Sequence, residues 1–134
     1  MIRIKRAYDP VAREDGRRIL VERLWPRGMT KASLAAHAWI KEVAPSTGLR
    51  KWFGHRAERW KEFRRRYREE LDMKPEIWEP IAQEAKRDTI TLLYSARDTL
   101  HNGAWALRDY LNERRPSGSR RKPQGRKRGK RSPL

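Results

Sequence analysis

The chain has 134 residues and contains no cysteine. This absence excludes disulfide bonds, thiolate nucleophiles and metal sites built on thiolates, so the protein's own side chains cannot perform redox or thioester chemistry. The sequence also lacks any run close to the ~18 apolar residues that a membrane-spanning helix needs. Its N-terminus alternates apolar and basic residues and has no apolar segment typical of a secretory signal. We therefore expect a soluble, cytoplasmic protein with no membrane partner.

Established catalytic and cofactor motifs are missing as well. The sequence contains no P-loop, no Gly-rich dinucleotide-binding motif and no Ser-His-Asp arrangement. Its histidines, His37, His55 and His101, are too far apart to form a ligand pair at i, i+4 spacing, and no carboxylate cluster accompanies them. We expect neither a metal site nor a cofactor.

Acidic residues are missing from the C-terminal end of the chain. Residues 114–134 hold ten of the 34 Lys and Arg residues and none of the 17 Asp and Glu residues, which leaves residues 1–113 with a net charge of +7. Such a basic, Gly-, Ser- and Pro-rich segment cannot bury enough apolar surface to offset the entropy lost on ordering. We predict one α/β domain over residues 1–113 and a disordered basic tail over residues 114–134.

The basic tail predicts an association with polyanions. Lys and Arg side chains that neutralise phosphates release counterions, which gives nucleic-acid binding that does not depend on sequence. The alternative is that the tail only keeps the protein soluble. The residues expected to contact nucleic acid are Arg120, Arg121, Lys122, Arg126, Lys127, Arg128, Lys130 and Arg131.

The first part of the chain predicts two strands and a short helix. Residues 2–8 alternate in the period of a strand, and residues 18–22 form a short apolar run after a turn-like Arg-Glu-Asp-Gly. Thr30 is suited to cap a helix that continues to about Ala36. Residues 39–43 are expected to add a brief extended piece.

Amphipathic patterns predict four further helices. Ser46 is a good N-cap for a helix with an apolar stripe, and residues 57–71 carry aromatic and apolar side chains at steps of three and four. Pro75 fits the first turn of a helix over residues 76–87. The last helix is expected over residues 102–113.

One strand is expected to be buried on both faces. Residues 89–94, Thr-Ile-Thr-Leu-Leu-Tyr, are β-branched and apolar without alternation, which is typical of the centre of a parallel sheet. The order of elements predicts an α/β fold with a small, mostly parallel sheet flanked by helices in three layers, in the manner of Rossmann-like and flavodoxin-like folds.

The loops that follow the second and the late strand are the expected ligand site. Ligands of open α/β sheets bind outside the carboxyl ends of the strands, where Arg23 and Arg27 follow one strand and Arg97 follows the other. Three converging guanidiniums near a helix N-terminus would hold a small anion such as a phosphorylated or nucleotide ligand, with the protein acting as an enzyme or a sensor. The alternative is that Arg97 pairs on the surface with Glu22 or Asp15.

Other residues of these loops also have two interpretations. Trp25, beside a proline, would either stack on a ligand ring or cover the edge of the sheet. Asp98 and His55 are candidates for moving a proton. The alternatives are that Asp98 or Thr99 only caps the helix, and that His55 only stabilises a helix C-terminus, which is the more frequent role of a lone histidine there. A third hypothesis is a protein-interaction scaffold, since Trp and Arg are enriched at interface hot spots, and an apolar patch around Trp25 or Trp39 would favour it. The oligomeric state does not follow from the sequence.

Five stretches of the chain closely resemble the YeaO-like branch of the domain-of-unknown-function 488 family. They are RAYDP at 6–10, DGRRILVERLWPRG at 15–28, APSTGLRKWFGH at 44–55, Phe63 and Tyr67 with the Glu-Leu that follows, and TLLYSARD at 91–98 before Asn102. The resemblance implies a compact α/β fold without implying a reaction. A longer-chain branch carries Cys in place of Tyr94, so thiol chemistry there cannot operate in this chain.

The resemblance also implies a set of site residues. Among them, Ser95 and Asn102 are expected to bind a ligand together with the loop arginines and Trp25. The full set of polar and aromatic positions that match the branch's motifs is Asp9, Asp15, Arg23, Trp25, Arg27, Ser46, His55, Tyr67, Ser95, Arg97, Asp98 and Asn102.

Overall fold

In the described part of the chain, four parallel strands form one sheet. The structure is a computed structural model and describes residues 1–114. The strands are β1 (Ile2–Arg6), β2 (Arg17–Leu20), β3 (Ala38–Trp39) and β4 (Ile90–Tyr94). Their order is β1-β4-β2-β3, with Ile2 opposite Ile90, Arg17 also opposite Ile90, and Ile19 opposite Ala38. The predicted α/β fold with a small parallel sheet is confirmed, and all strands end at the same edge.

Five α-helices accompany the sheet within residues 1–114. They are α1 (Lys31–Leu34), α2 (Thr47–Phe53), α3 (Trp60–Asp72), α4 (Pro75–Arg87) and α5 (Gly103–Glu113). The predicted caps are in place, since the side chains of Thr30 and Ser46 accept hydrogen bonds from the backbone N–H groups of Ser33 and Leu49. The extended piece expected over residues 39–43 was wrong in part, because only Ala38–Trp39 pairs with the sheet and Lys41–Val43 forms a 3-10 turn.

The two faces of the sheet pack against layers of different size. Ile19 and Leu92 point to the face that the larger helices cover, in a core that also contains Phe63 and Leu107. The opposite face carries a smaller cluster of Ala7, Leu20, Leu34 and Leu93, covered by α1 and the loop before it. The three-layer arrangement therefore has one thick helical layer and one thin layer.

The central strand is as buried as its composition predicts. Every residue of β4 from Ile90 to Tyr94 is buried. The run lacks alternation because β4 lies between β1 and β2 and both of its faces contact core side chains.

The predicted tail lies almost entirely outside the described residues. Only Arg114, its first residue, is described, and its guanidinium contacts Asp72 at 3.1 Å and lies 3.9 Å from the centre of the Tyr110 ring. The predictions of disorder over residues 115–134, and of nucleic-acid contacts from Arg120 to Arg131, concern residues outside the described part.

Candidate functional site

A cleft of about 700 Å³ opens at the carboxyl ends of β2 and β4. Its walls come from the loop after β2, the loop after β4, the segment before and within α2, and the start of α5. We call it the strand-end cleft. Its lining residues are Val21, Glu22, Arg23, Leu24, Ala44, Pro45, Arg50, Phe53, His55, Phe63, Ser95, Ala96, Arg97, Asp98, Asn102 and Gly103. This is the edge of the sheet at which the sequence predicted a ligand.

Two of the three predicted arginines line this cleft. The guanidinium of Arg23 is oriented by the backbone, because its Nε donates to the carbonyl of Pro45 at 2.9 Å and its Nη2 to that of Ala44 at 3.3 Å. Arg97 is exposed, and within residues 1–114 its side chain has no hydrogen bond or ion pair. The surface pairing of Arg97 considered above is not formed there, since Glu22 and Asp15 bind other partners.

Arg27 and Trp25 lie outside the cleft lining. Arg27 is exposed, and its backbone carbonyl accepts a hydrogen bond from the Tyr8 hydroxyl. The Trp25 indole packs against the smaller core cluster, donates to the Met29 carbonyl at 2.6 Å and contacts the Trp39 ring edge-on at 5.4 Å. These contacts favour the interpretation in which Trp25 covers the sheet.

Arg50 is a cleft residue that the sequence did not single out. It lies on α2, is exposed, and has no side-chain hydrogen bond or ion pair with any described residue. Arg50 immediately follows Leu49, which faces the core, so helical spacing placed it on the outer face. The apolar pattern of α2 could not show that this outer face lies beside the strand ends.

His55 reaches the cleft from an unusual backbone conformation. The residue follows the α2 C-cap Gly54 and has φ 59°, in the left-handed region that residues other than Gly adopt rarely. Its imidazole lies 6.4 Å from the Phe53 ring and is exposed. Within the described residues the ring has no hydrogen bond.

Ser95 is tied to Glu22 across the two strand ends. The Ser95 N–H donates to one carboxylate oxygen of Glu22 at 3.0 Å and its hydroxyl donates to the other at 2.7 Å. Ser46 binds Glu70 in the same way, at 2.8 Å through its N–H and 2.6 Å through its hydroxyl. Both serines therefore hold loops onto the fold.

Asp98 organises the turn that precedes α5. One of its oxygens accepts from the N–H groups of Leu100 and His101, and the other lies 2.9 Å from the His101 Nδ1 atom. The hydrogen bond from Leu100, and next that from His101, lower the pKa of the Asp98 carboxyl. The helix itself is capped by Asn102, whose side-chain oxygen accepts from the Trp105 N–H at 2.9 Å.

The cleft floor is aromatic. Phe53 and Phe63 stack with ring centres 4.3 Å apart, and both side chains are almost completely buried, at 5% and 2% exposed. Trp60 packs on Phe63 at 5.6 Å and meets the His101 ring edge-on at 5.2 Å. These packed aromatic rings fix the shape of the cleft floor, because each ring is held in place by its neighbour.

Neither a metal-binding cluster nor a membrane-spanning helix is found in the described part of the chain. Residues 1–114 contain no group of three or more His, Asp or Glu side chains that could hold a metal ion. No helix among them is both long and apolar enough to span a membrane.

Known proteins resemble this chain over most of its length. The profile of a family described as "Inactive DUF488-N3 subclade" matches residues 1–127. The uncharacterized protein YeaO of Escherichia coli (strain K12) is 46% identical over 110 residues, which cover 82% of this chain and 96% of the relative. The uncharacterized protein Rv3073c of Mycobacterium tuberculosis (strain ATCC 25618 / H37Rv) is 36% identical over 113 residues, 84% of this chain and 95% of the relative. No solved structure is significantly similar to the chain.

Proposed function

Since the chain belongs to the DUF488 family, within the group described as its inactive N3 subclade, we propose that it is a binding protein that holds a small anion in the strand-end cleft. The observation that carries this proposal is the composition of the cleft lining. Arg23, Arg50 and Arg97 line the same cavity, while both lining carboxylates are already engaged by the protein.

The arginines suit an anionic ligand in complementary ways. The guanidinium of Arg23 is oriented by two backbone carbonyls, which lowers the entropy lost when it binds. Arg50 and Arg97 are exposed and without side-chain partners in residues 1–114, so no ion pair must break before they bind. Guanidinium groups present paired donors that match carboxylates and phosphates.

His55 supports the same assignment. A residue with φ 59° would generally be accommodated more easily as Gly or Asn, and backbone strain of this kind accumulates at ligand sites. An imidazole at this point of the cleft adds a further donor to an anion.

The groups that could perform catalysis favour binding over reaction. The Asp98 carboxyl has a lowered pKa, so it is a poor general acid and a weak general base near neutral pH. The Ser95 hydroxyl donates to Glu22, and no histidine contacts it among the described residues, so it lacks the base that activates a nucleophilic serine.

The test is isothermal titration of the full chain with pyrophosphate. Arg50→Gln/Arg97→Gln is expected to weaken binding at least about tenfold, because two charged hydrogen-bonding groups are lost. Arg13→Gln/Lys31→Gln is the matched control, since it removes the same charge from two exposed positions outside the cleft lining. Equal losses in the two double variants would contradict the proposal, because they would indicate binding by overall charge.

The distribution of charged residues along the sequence supports a second activity. We propose that the segment containing Arg120 to Arg131 associates with nucleic acid without sequence preference, since ten cations and no acid follow residue 113. The cations of α3 are less suited to this task because Arg65 and Arg66 pair with Glu62, and Arg64 pairs with Asp109.

The test of this second activity is a salt titration of binding to a labelled DNA duplex. Affinity is expected to fall steeply with salt, with a slope of roughly −0.9 per neutralised phosphate. Deletion of residues 116–134 should remove most of the binding, while Arg64→Gln should change it little. If the shortened chain bound the duplex as tightly as the full chain, the tail would have no part in binding.

A further inference from the structure

The strand-end cleft offers a ligand more apolar surface than an inorganic anion can use. Its volume of about 700 Å³ lies within the ~300–1,000 Å³ of cavities that enclose organic molecules. Behind the arginines the lining is apolar, and it is formed by Val21, Ala44, Pro45, Phe53, Phe63 and Ala96. A ligand that fills the cleft therefore has an apolar body as well as an anionic group.

Leu24 extends this apolar surface to the cleft rim. It lines the cleft, yet its side chain is 63% exposed, so the core does not explain its position. A ligand body seated in the cleft would cover this leucine and remove its apolar surface from water.

The polar acceptors of the cleft are already in use. Glu22 accepts from Ser95, and the Asp98 carboxylate accepts from the turn that follows it. The Asn102 amide donates to the Asp98 carbonyl and accepts from the Trp105 N–H. Apart from His55, each side-chain acceptor in the lining therefore has a partner within the protein.

The backbone carbonyls beside the arginines are engaged in the same way. Those of Ala44 and Pro45 accept from Arg23, and those of Ser95 and Ala96 accept from Arg6. Hydroxyl or amino groups on a ligand would therefore have to share acceptors that already have a partner, whereas an apolar body meets the apolar lining directly.

We propose that the cleft selects an organic anion with an apolar body and few hydroxyl or amino groups, such as an alkyl or aryl phosphate or carboxylate. This proposal rests on the proposed function, since it names the class of anion that the cleft binds. The rings of Phe53 and Phe63 line the cleft but are almost completely buried, so Leu24 supplies the most exposed apolar contact for the body of the ligand. The arginines then hold the phosphate or carboxylate at the rim.

The experiment compares four phosphates by isothermal titration of the full chain at one ionic strength. Phenyl phosphate, butyl phosphate, ribose 5-phosphate and inorganic phosphate present a similar anionic group on bodies of different chemistry. Phenyl phosphate is expected to bind at least about tenfold more tightly than ribose 5-phosphate. Butyl phosphate should also bind more tightly than ribose 5-phosphate and inorganic phosphate, because its chain is apolar.

A rim variant tests the apolar contact without altering the core. Leu24→Gln is expected to weaken phenyl phosphate binding several-fold and leave inorganic phosphate binding unchanged. Leu100→Gln is the matched control, because Leu100 is 56% exposed and lies outside the cleft lining. Equal effects of the two variants on phenyl phosphate would overturn the apolar assignment.

The outcomes separate this inference from the function on which it rests. If ribose 5-phosphate bound as tightly as phenyl phosphate, the ligand class would be overturned, while arginine-dependent anion binding would stand. If butyl and phenyl phosphate bound no more tightly than inorganic phosphate, the apolar body would be overturned. If none of the four bound and pyrophosphate did not bind either, the proposed function itself would fail.

Discussion

The Arg18 guanidinium and the Asp15 carboxylate form a buried ion pair, with Nη1 2.6 Å from Oδ2. Arg18 also donates to the Leu34 carbonyl through Nε and Nη2, and Asp15 also accepts from the Lys5 ammonium at 2.8 Å. The pair lies on the thin side of the sheet, where it ties β2 to α1 and β1 to the loop before β2. A buried pair of this kind is costly to break because one charge is left without its partner.

Asp15→Asn is therefore expected to destabilise the protein by about 3–5 kcal/mol. Asparagine keeps the size of the side chain and removes the charge that offsets Arg18 and Lys5. Urea unfolding measures the loss, and Asp9→Asn is the control because Asp9 is exposed. A difference below about 1 kcal/mol between the two variants would show that the pair is not coupled to folding.

Because of the Asp15 carboxylate, we also expect the stability of the fold to depend on pH in the acid range. Burial raises the pKa of Asp15, but the hydrogen bonds from Lys5, the Ala12 N–H and Arg18 outweigh it and hold the pKa below its ordinary value. The contribution is therefore complete above the unfolded pKa of about 3.9 and is lost as the pH falls towards the folded pKa. The difference in unfolding free energy between wild type and Asp15→Asn should therefore be smaller at pH 3 than at pH 6. A gap that stays constant with pH would contradict the assignment.

Gly16 is required by both its conformation and its surroundings. Its φ is +61°, and a Cβ added there would lie 2.2 Å from the Thr89 carbonyl oxygen, where the backbone must move. Gly16→Ala is expected to cost at least about 2 kcal/mol in the free energy of unfolding. Gly28 has φ +80° and nothing within 4 Å of an added Cβ, so Gly28→Ala should cost only about 1 kcal/mol, for the left-handed backbone alone. Equal losses would show that the contact with Thr89 is relieved cheaply.

The fold was largely predictable because local signals agreed with one another. The apolar run of β4 predicted a central strand, and Thr30 and Ser46 predicted helix starts that the structure confirms. The short β3 was harder to predict, since its two residues depend on pairing with β2 rather than on their own pattern. The sequence pattern also did not single out Trp78, which is buried and donates to the Leu71 carbonyl at 2.9 Å.

The sequence predicted which loops form the site, but only some of the residues in it. The strand ends indicated where the cleft would open, and Arg23 and Arg97 line it. Sequence could not separate Arg23 from Arg27, because which of the two faces the strand ends depends on how the loop after β2 turns. It also missed Arg50, since α2 is brought to the cleft by tertiary packing alone.

The Tyr67 hydroxyl gives a last prediction, about a family motif position that serves the fold. It is buried and donates to the Val43 carbonyl at 2.6 Å, and burial raises its pKa. Tyr67→Phe should cost about 1–3 kcal/mol in unfolding free energy, because that carbonyl is left unpaired in the core. The control is Tyr94→Phe, since Tyr94 is equally buried but its hydroxyl has no hydrogen bond within residues 1–114. Its expected cost is below about 0.5 kcal/mol. Equal losses in the two variants would mean that the Val43 carbonyl is satisfied without Tyr67.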